Sequence, residues 1–303
     1  LRSVARNNVV LLLQYAVGGL VPIVLIPHIV REIGVASFGS LAIALAWANY
    51  GSIVVQYAFN LTGPRQIAQL APTQTELSVV QRITMAKVTL LLLVVLPIVG
   101  IYIAYSHLSQ TSWNWAIFTV LIAMPLGTAI HSGWYLQATG RFVTTSTISI
   151  TGALFSLTIG FTFISPGSTN NLFISALSLV TGALVTGLGT MLAAMYTLRQ
   201  PIFTSDLGSA WSELRDGWPL FASQFTAALY GAAGPIIVGW LAGIDQAGAF
   251  TAVERITGAV VSACTLTHTA AYPTLAKLYK TDFQRYLRLL FLVIGIYLVI
   301  SFS

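Results

Sequence analysis

Residues 88–105 read VTLLLLVVLPIVGIYIAY, eighteen positions without one charged side chain. As a helix rising 1.5 Å per residue, such a run covers about 27 Å, close to the ~30 Å hydrocarbon core of a bilayer. Comparable runs recur at roughly 9–30, 38–62, 84–105, 114–137, 143–164, 172–198, 218–241, 247–271 and 286–303. They are continuous, whereas a membrane β-barrel alternates apolar and polar residues in segments of about ten. The pattern predicts an all-α polytopic membrane protein with nine spans. The fifth and sixth runs are rich in Ser, Thr and Gly, which suits helices packed against protein.

Composition agrees. Of 303 residues, 56% are hydrophobic and 7% charged, with a mean hydropathy of +0.83. A soluble domain carries about 25% charged residues, so cytosolic, secreted and disordered classes are excluded. The net charge of +6 does not signify nucleic-acid binding, because the basic residues are dispersed between apolar runs. The single cysteine, Cys264, permits no internal disulfide, and no Cys/His spacing suits a metal. The first run follows Arg2 and Arg6 but is too long for a signal-peptide core, and no small-residue cleavage site follows it. It reads as a retained helix.

The basic residues orient the spans. With the N-terminus inside, inner segments hold Arg2, Arg6, Arg65, Arg82, Lys87, Arg141, Arg199, Arg215, Lys277, Lys280, Arg285 and Arg288. Outer segments hold Arg31 alone, and Arg255 lies within a span, so the bias is 12 to 1. The positive-inside rule then places the N-terminus in the cytoplasm.

An internal repeat appears at an offset of 209: IGVASFGSLAIA (33–44) matches AGIDQAGAFTAV (242–253). Gly34 and Gly39 fall on Gly243 and Gly248, Pro64 on Pro273, and Arg6 on Arg215. The matched helices run in the same direction, so the repeat is parallel, about an axis along the membrane normal. The expected organisation is an N-terminal lobe of six helices (1–199), a cytoplasmic linker (200–216) and a partial C-terminal lobe of three helices (217–303). A finished second lobe would need roughly another 100 residues. The chain starts at Leu1 and ends within an apolar run. The expectation is a fragment of a twelve-helix transporter, with a genuine nine-helix protein as the alternative.

Ionic groups inside spans are costly, and they mark candidate sites. Glu254 and Arg255 fall near the eighth position of the eighth run, roughly 12 Å from its outer end. Thr251, Arg255, Gly258, Ser262, Thr265 and Thr269 form one helical stripe. These groups either line a cavity or form buried ion pairs that hold the helix in register. Asn49, Ser52, Gln56, Asn60 and Gly63 form a similar stripe on the second run. That stripe faces either a hydrated space between lobes or an interhelical hydrogen-bond seam. Pro22, Pro27 and Pro235 bend their helices as static kinks or as hinges. Arg31, beside Glu32, either snorkels to the interface or lines the outer mouth. His131, one turn from Tyr135, is a proton carrier or a neutral packed side chain. Trp134, Tyr135, Trp218 and Trp240 fit an aromatic belt. No nucleotide-binding glycine loop, paired carboxylates or nucleophile elbow is present, so an enzyme is not expected.

The stretch QYAFNLTGPRQIA (56–68) resembles the end of the second helix in O-antigen (Wzx-type) flippases of the polysaccharide transporter family. The spacing of Pro27, Arg31, Gly34 and Gly39 is similar to that family as well. So are Pro125, Trp134, Tyr135 and Gln137, and AVERI at 252–256. The family belongs to the multidrug/oligosaccharidyl-lipid/polysaccharide exporter superfamily. The resemblance implies two six-helix lobes in a MATE-like V around a central cavity. It also implies transfer of undecaprenyl-diphosphate-linked repeat units to the outer leaflet of the bacterial plasma (inner) membrane. This chain departs from the family at Gln56, where Asp is frequent, at Ala58, where Gly is frequent, and at Pro64, where Thr is frequent. Its fourth helix continues Gln137-Ala-Thr-Gly140-Arg141 where the family often has Gln-Gly-x-Glu.

The function expected is a flippase in lipopolysaccharide O-antigen biosynthesis, working by alternating access. Arg255 and Arg31 would offset the diphosphate charge, while Asn49, Gln56, Asn60, Thr251 and Ser262 would bind sugar hydroxyls. Glu254 or His131 would couple to a proton or sodium gradient, with no cofactor. Partners would be the lipid-linked oligosaccharide, membrane lipids, a polysaccharide polymerase and a chain-length regulator, and no nucleic acid. The competing reading is a MATE-type multidrug/cation antiporter, whose cavity would favour acids over arginines. A glycan-polymerising membrane enzyme would call for a large outer loop.

Overall fold

The computed structural model describes residues 2–70, 75–108, 114–203, 207–255 and 257–258. Ten helices are α1 (Arg2–Ile33), α2 (Val35–Gln56), α3 (Phe59–Ala68), α4 (Glu76–Leu108), α5 (Trp115–Ile130), α6 (Gly133–Ala138), α7 (Phe142–Phe163), α8 (Asn171–Leu198), α9 (Leu207–Ala232) and α10 (Gly234–Ala242). An eleventh, α11, covers 244–255. The described residues contain no strand. Helices satisfy their backbone polar groups internally, which a bilayer requires. Six helical stretches, between Leu13 and Leu198, are long and apolar enough to cross a membrane. Ala210–Ala232 with Gly234–Ala242 makes a seventh, bent by 41°. These seven match the first seven apolar runs. The eighth run begins with α11, and the ninth lies outside the described residues. The protein is an all-α, multi-pass membrane protein.

Three spans are broken where the sequence reads as continuous. In the second, Tyr57 and Ala58 adopt left-handed backbone conformations (φ 45° and 61°) between α2 and α3. Non-glycine residues disfavour this region, so tertiary contacts must hold it. Tyr57 supplies them: its ring stacks on Phe221 at 4.3 Å, and its hydroxyl donates to the Leu214 carbonyl at 2.8 Å. In the fourth span, the extended backbone of His131 separates α5 from α6. The seventh breaks at Ala233, just before Pro235, which sits in the first turn of α10 where its missing N–H is harmless.

Packing follows a ring. α7 and α8 pair closely, α8 packs on α5, α5 on α2, and α1 returns to α7. On α7 and α8, a Cβ at Gly152 would crowd the Gly182 carbonyl, so small residues set this approach. α4 covers α5 and α2, α9 lies on α4 and α2, and α10 lies on α2. An ion pair joins α4 to α9: Arg82 Nε lies 2.9 Å from Glu213 Oε1. Gln66 of α3 donates to the other Glu213 oxygen at 2.7 Å. Ile202, in the connection before α9, is fully buried in the same core as Leu214 and Phe221.

The repeat has a geometric counterpart. Gly34 (φ 79°, ψ 161°) precedes α2, and Gly243 (φ 97°, ψ 168°) precedes α11, with nearly the same backbone turn. Gly39 and Gly248, the next matched pair, meet each other. A Cβ on Gly39 would strike the Ile244 carbonyl, and one on Gly248 would strike the Val35 carbonyl.

Two placements differ from the sequence reading. Lys87 does not flank its span. Helix α4 starts at Glu76, so Lys87 lies within the span and is 1% exposed. Trp134 and Tyr135 do not form a belt. Both are buried, Trp134 against Gly63 and Tyr135 with its hydroxyl donating to Glu76 at 2.8 Å. The Trp134 ring fills the α3–α6 contact, and the Tyr135 hydroxyl ties α6 to α4. Trp218 and Trp240 are exposed on the bundle's surface.

A candidate translocation cavity

Three adjoining cavities surround Pro22 of α1. The first, about 530 Å³, is lined by Gln14, Tyr15 and Gly18 of α1, Asn49 of α2, Ser149 of α7, Ala232 and Pro235 of α9 and α10, and Glu254, Arg255 and Gly258. The second, about 560 Å³, is lined by Gly18 and Pro22, Gln56 and Asn60, Thr128 and His131, Ser149 and Ser156, and Thr186. The third, about 140 Å³, joins Pro22, Leu25, Phe38, Ser156, Thr251 and Arg255. Shared walls make them one system: Gly18 and Ser149 border the first two, and Arg255 borders the first and third.

Local structure explains the convergence. Asn49 and Gln56 lie two turns apart on one face of α2. The left-handed turn at Tyr57 and Ala58 then redirects the chain, leaving Asn60 beside Gln56 on the second cavity. On α11, Thr251 and Arg255 share a face one turn apart, and Glu254 reaches the first cavity. Gly234, at the break in the seventh span, leaves room for Phe250, and a Cβ there would stand 3.6 Å from Glu254 Oε1. The mixture of one acid, one guanidinium, amides and hydroxyls can bind an anion and a set of sugar hydroxyls together.

Of the residues singled out in the sequence, Asn49, Glu254 and Arg255 meet in the first cavity. Gln56, Asn60 and His131 meet in the second. Thr251 borders the third, and its buried hydroxyl has no hydrogen-bond partner among the described residues. Arg31 lines none of the three. Its side chain is 84% exposed at the end of α1, with Glu32 at 3.9 Å. Ser262 lies outside the described residues. Among the described residues no cluster of His, Cys, Asp and Glu could hold a metal ion.

Lys87 is the functional candidate that sequence reasoning passed over. Its ammonium donates to Gln56 Oε1 at 3.2 Å and to the carbonyls of Thr128 (3.4 Å) and His131 (2.9 Å). All three partners line the second cavity. The signal was present, since position 87 falls inside the apolar run at 84–105.

A sequence model of polysaccharide biosynthesis proteins matches residues 4–279, almost the whole chain. The chain belongs to the polysaccharide biosynthesis protein family. An Escherichia coli K12 protein named "Putative O-antigen transporter" is similar to the chain, 22% identical over 275 residues, covering 90% of this chain and 65% of that protein. A Shigella dysenteriae protein of the same name is 21% identical over 288 residues, covering 94% of this chain and 70% of its own length. The chain thus spans about two-thirds of the length of the curated relatives it matches. No solved structure is a significant match to this family member.

Proposed function

We propose that the complete protein flips undecaprenyl-diphosphate-linked oligosaccharide repeat units from the inner to the outer leaflet of the bacterial plasma membrane. The observation that carries this reading is the meeting of Asn49, Glu254 and Arg255, from α2 and α11, in one cavity of about 530 Å³. A diphosphate and its sugars cannot cross hydrocarbon unpaired, because desolvating a charge costs many kcal/mol. A polar cavity between helices replaces that lost hydration. Arg255 is the group suited to the diphosphate, because a guanidinium presents paired donors to phosphate oxygens. Asn49, Gln56 and Asn60 suit the sugar hydroxyls, and the lipid tail stays in the bilayer.

The N-terminal lobe (1–199) and the C-terminal lobe (217–303) rock about the cavity to give alternating access, with the N-terminus cytoplasmic. A proton or sodium gradient drives the cycle through Glu254 or His131. The product passes to a polysaccharide polymerase and chain-length regulator. Family membership and the names of the two relatives support the substrate class. The test replaces Arg255 separately by Ala and by Lys in the full-length protein and measures surface O-antigen. Arg255→Ala is expected to abolish most of it, with Arg255→Lys retaining part. Unchanged output from both, at normal protein levels, removes Arg255 from the mechanism.

A further inference from the structure

The break in the fourth span exposes backbone oxygens inside the bundle. Helix α5 ends at Ile130, and His131 turns to extended backbone before α6. The last carbonyls of a helix have no intrahelical donors and carry the negative end of its dipole. Within a membrane they must be satisfied by something. Here the carbonyl of Thr128, which also accepts the His131 N–H at 3.3 Å, the carbonyl of His131 and the side-chain oxygen of Gln56 converge on one point, 2.9–3.4 Å from Lys87 Nζ. Lys87 arrives from α4, on a separate element, and is 1% exposed. Among the described residues, the ion pairs are Arg31 with Glu32 and Arg82 with Glu213, and no carboxylate pairs with Lys87. Among the described residues, the ammonium is therefore held by neutral oxygens alone.

Oxygens from an unwound helix end, gathered around a single positive charge, are the coordination that transporter helix breaks give to a monovalent cation. We propose that the oxygens of Gln56, Thr128 and His131 form a monovalent-cation site, and that Lys87 fills it permanently with a tethered ammonium. The spacing suits an ion of ammonium or potassium size. The charge fixes three residues of the second cavity's wall, and this part of the protein needs no diffusible ion for that purpose. The inference rests on the helix break and the four side chains and carbonyls at it, and stands apart from the flippase reading.

Lys87→Ala removes four heavy atoms, three carbons and the nitrogen, which is the content of n-propylammonium. The experiment purifies full-length wild type, Lys87→Ala and Lys87→Met. Their melting temperatures are followed in choline, potassium and n-propylammonium chloride at equal ionic strength. Lys87→Ala is expected to melt well below wild type in choline and to recover saturably with n-propylammonium, and in part with potassium. Lys87→Met, whose thioether fills the space without a charge, stays low in all three salts, and wild type melts alike in all three. A simple packing role for Lys87 predicts no such salt selectivity. The site is refuted if n-propylammonium shifts Lys87→Ala no more than choline does. If Lys87→Ala does not accumulate, the double variant Lys87→Ala, Gln56→Glu replaces it. Its added carboxylate strengthens the vacated site, so n-propylammonium and potassium must each raise its melting temperature above that in choline. A double variant indifferent to both ions overturns the proposal.

Discussion

Two side chains show how single residues set the fold's irregularities. Ala58 is left-handed (φ 61°) and 2% exposed. Releasing it to glycine removes about 1–2 kcal/mol of backbone strain, while losing a buried methyl costs about 0.8 kcal/mol. Ala58→Gly is therefore expected to be within ~1 kcal/mol of wild type in thermal unfolding. Ala58→Val should cost clearly more, since β-branching worsens the left-handed conformation. Glu213 takes two donors, Arg82 and Gln66, one on each carboxylate oxygen. Glu213→Gln keeps one acceptor oxygen and loses the charge, so a loss of about 1–3 kcal/mol is expected, read from the same melts. The sequence made Asn49, Glu254 and Arg255 legible because polar groups in an apolar run must find polar company. Lys87 escaped because basic residues near span ends are counted as flanks. It lies only three residues inside the apolar run at 84–105, and the start of α4 at Glu76, about three turns earlier, places it well within the helix.

At the scale of elements, seven spans were readable from apolar runs alone, because the bilayer leaves the backbone little alternative to helix. Their breaks were not. The Tyr57–Ala58 turn depends on Phe221 and the Leu214 carbonyl, more than 150 positions away in the chain. No local pattern encodes such contacts. The repeat was readable, and it makes a quantitative prediction. Gly34 and Gly243 share a positive φ and have open space where a Cβ would stand. Gly34→Ala and Gly243→Ala should therefore each cost about 1–3 kcal/mol, and nearly the same amount as each other, because both glycines hold a backbone conformation that only glycine adopts freely. Gly248→Val should cost more than either, because its Cβ meets the Val35 carbonyl and forces α11 away from α2. Thermal unfolding of the three variants orders them.

The whole molecule places a chain of polar side chains inside an apolar shell. Leu92, Leu93, Leu96 and Leu192 are exposed on the outside, as lipid-facing residues are, while the charged pair Glu254 and Arg255 turns to the first cavity. The cavities draw on α1, α2, α3, α5, α7, α8, α9, α10 and α11, with Pro22 at their junction. The sequence stripes on the second and eighth runs foreshadowed two of these walls. The contribution of α1, through Gln14, Tyr15 and Gly18, was not foreseen, since glycines and a single amide make no stripe.

The most direct measurement is thiol accessibility in membranes. Single cysteines are placed at Asn49, Arg255 and Leu192 of the full-length protein, with Cys264 replaced by serine, and treated with a charged, water-borne thiol reagent. The account predicts labelling at 49 and 255 and none at 192. Silence at 49 and 255, in protein that has reached the membrane, would mean that water does not enter the cavity, and would contradict the account.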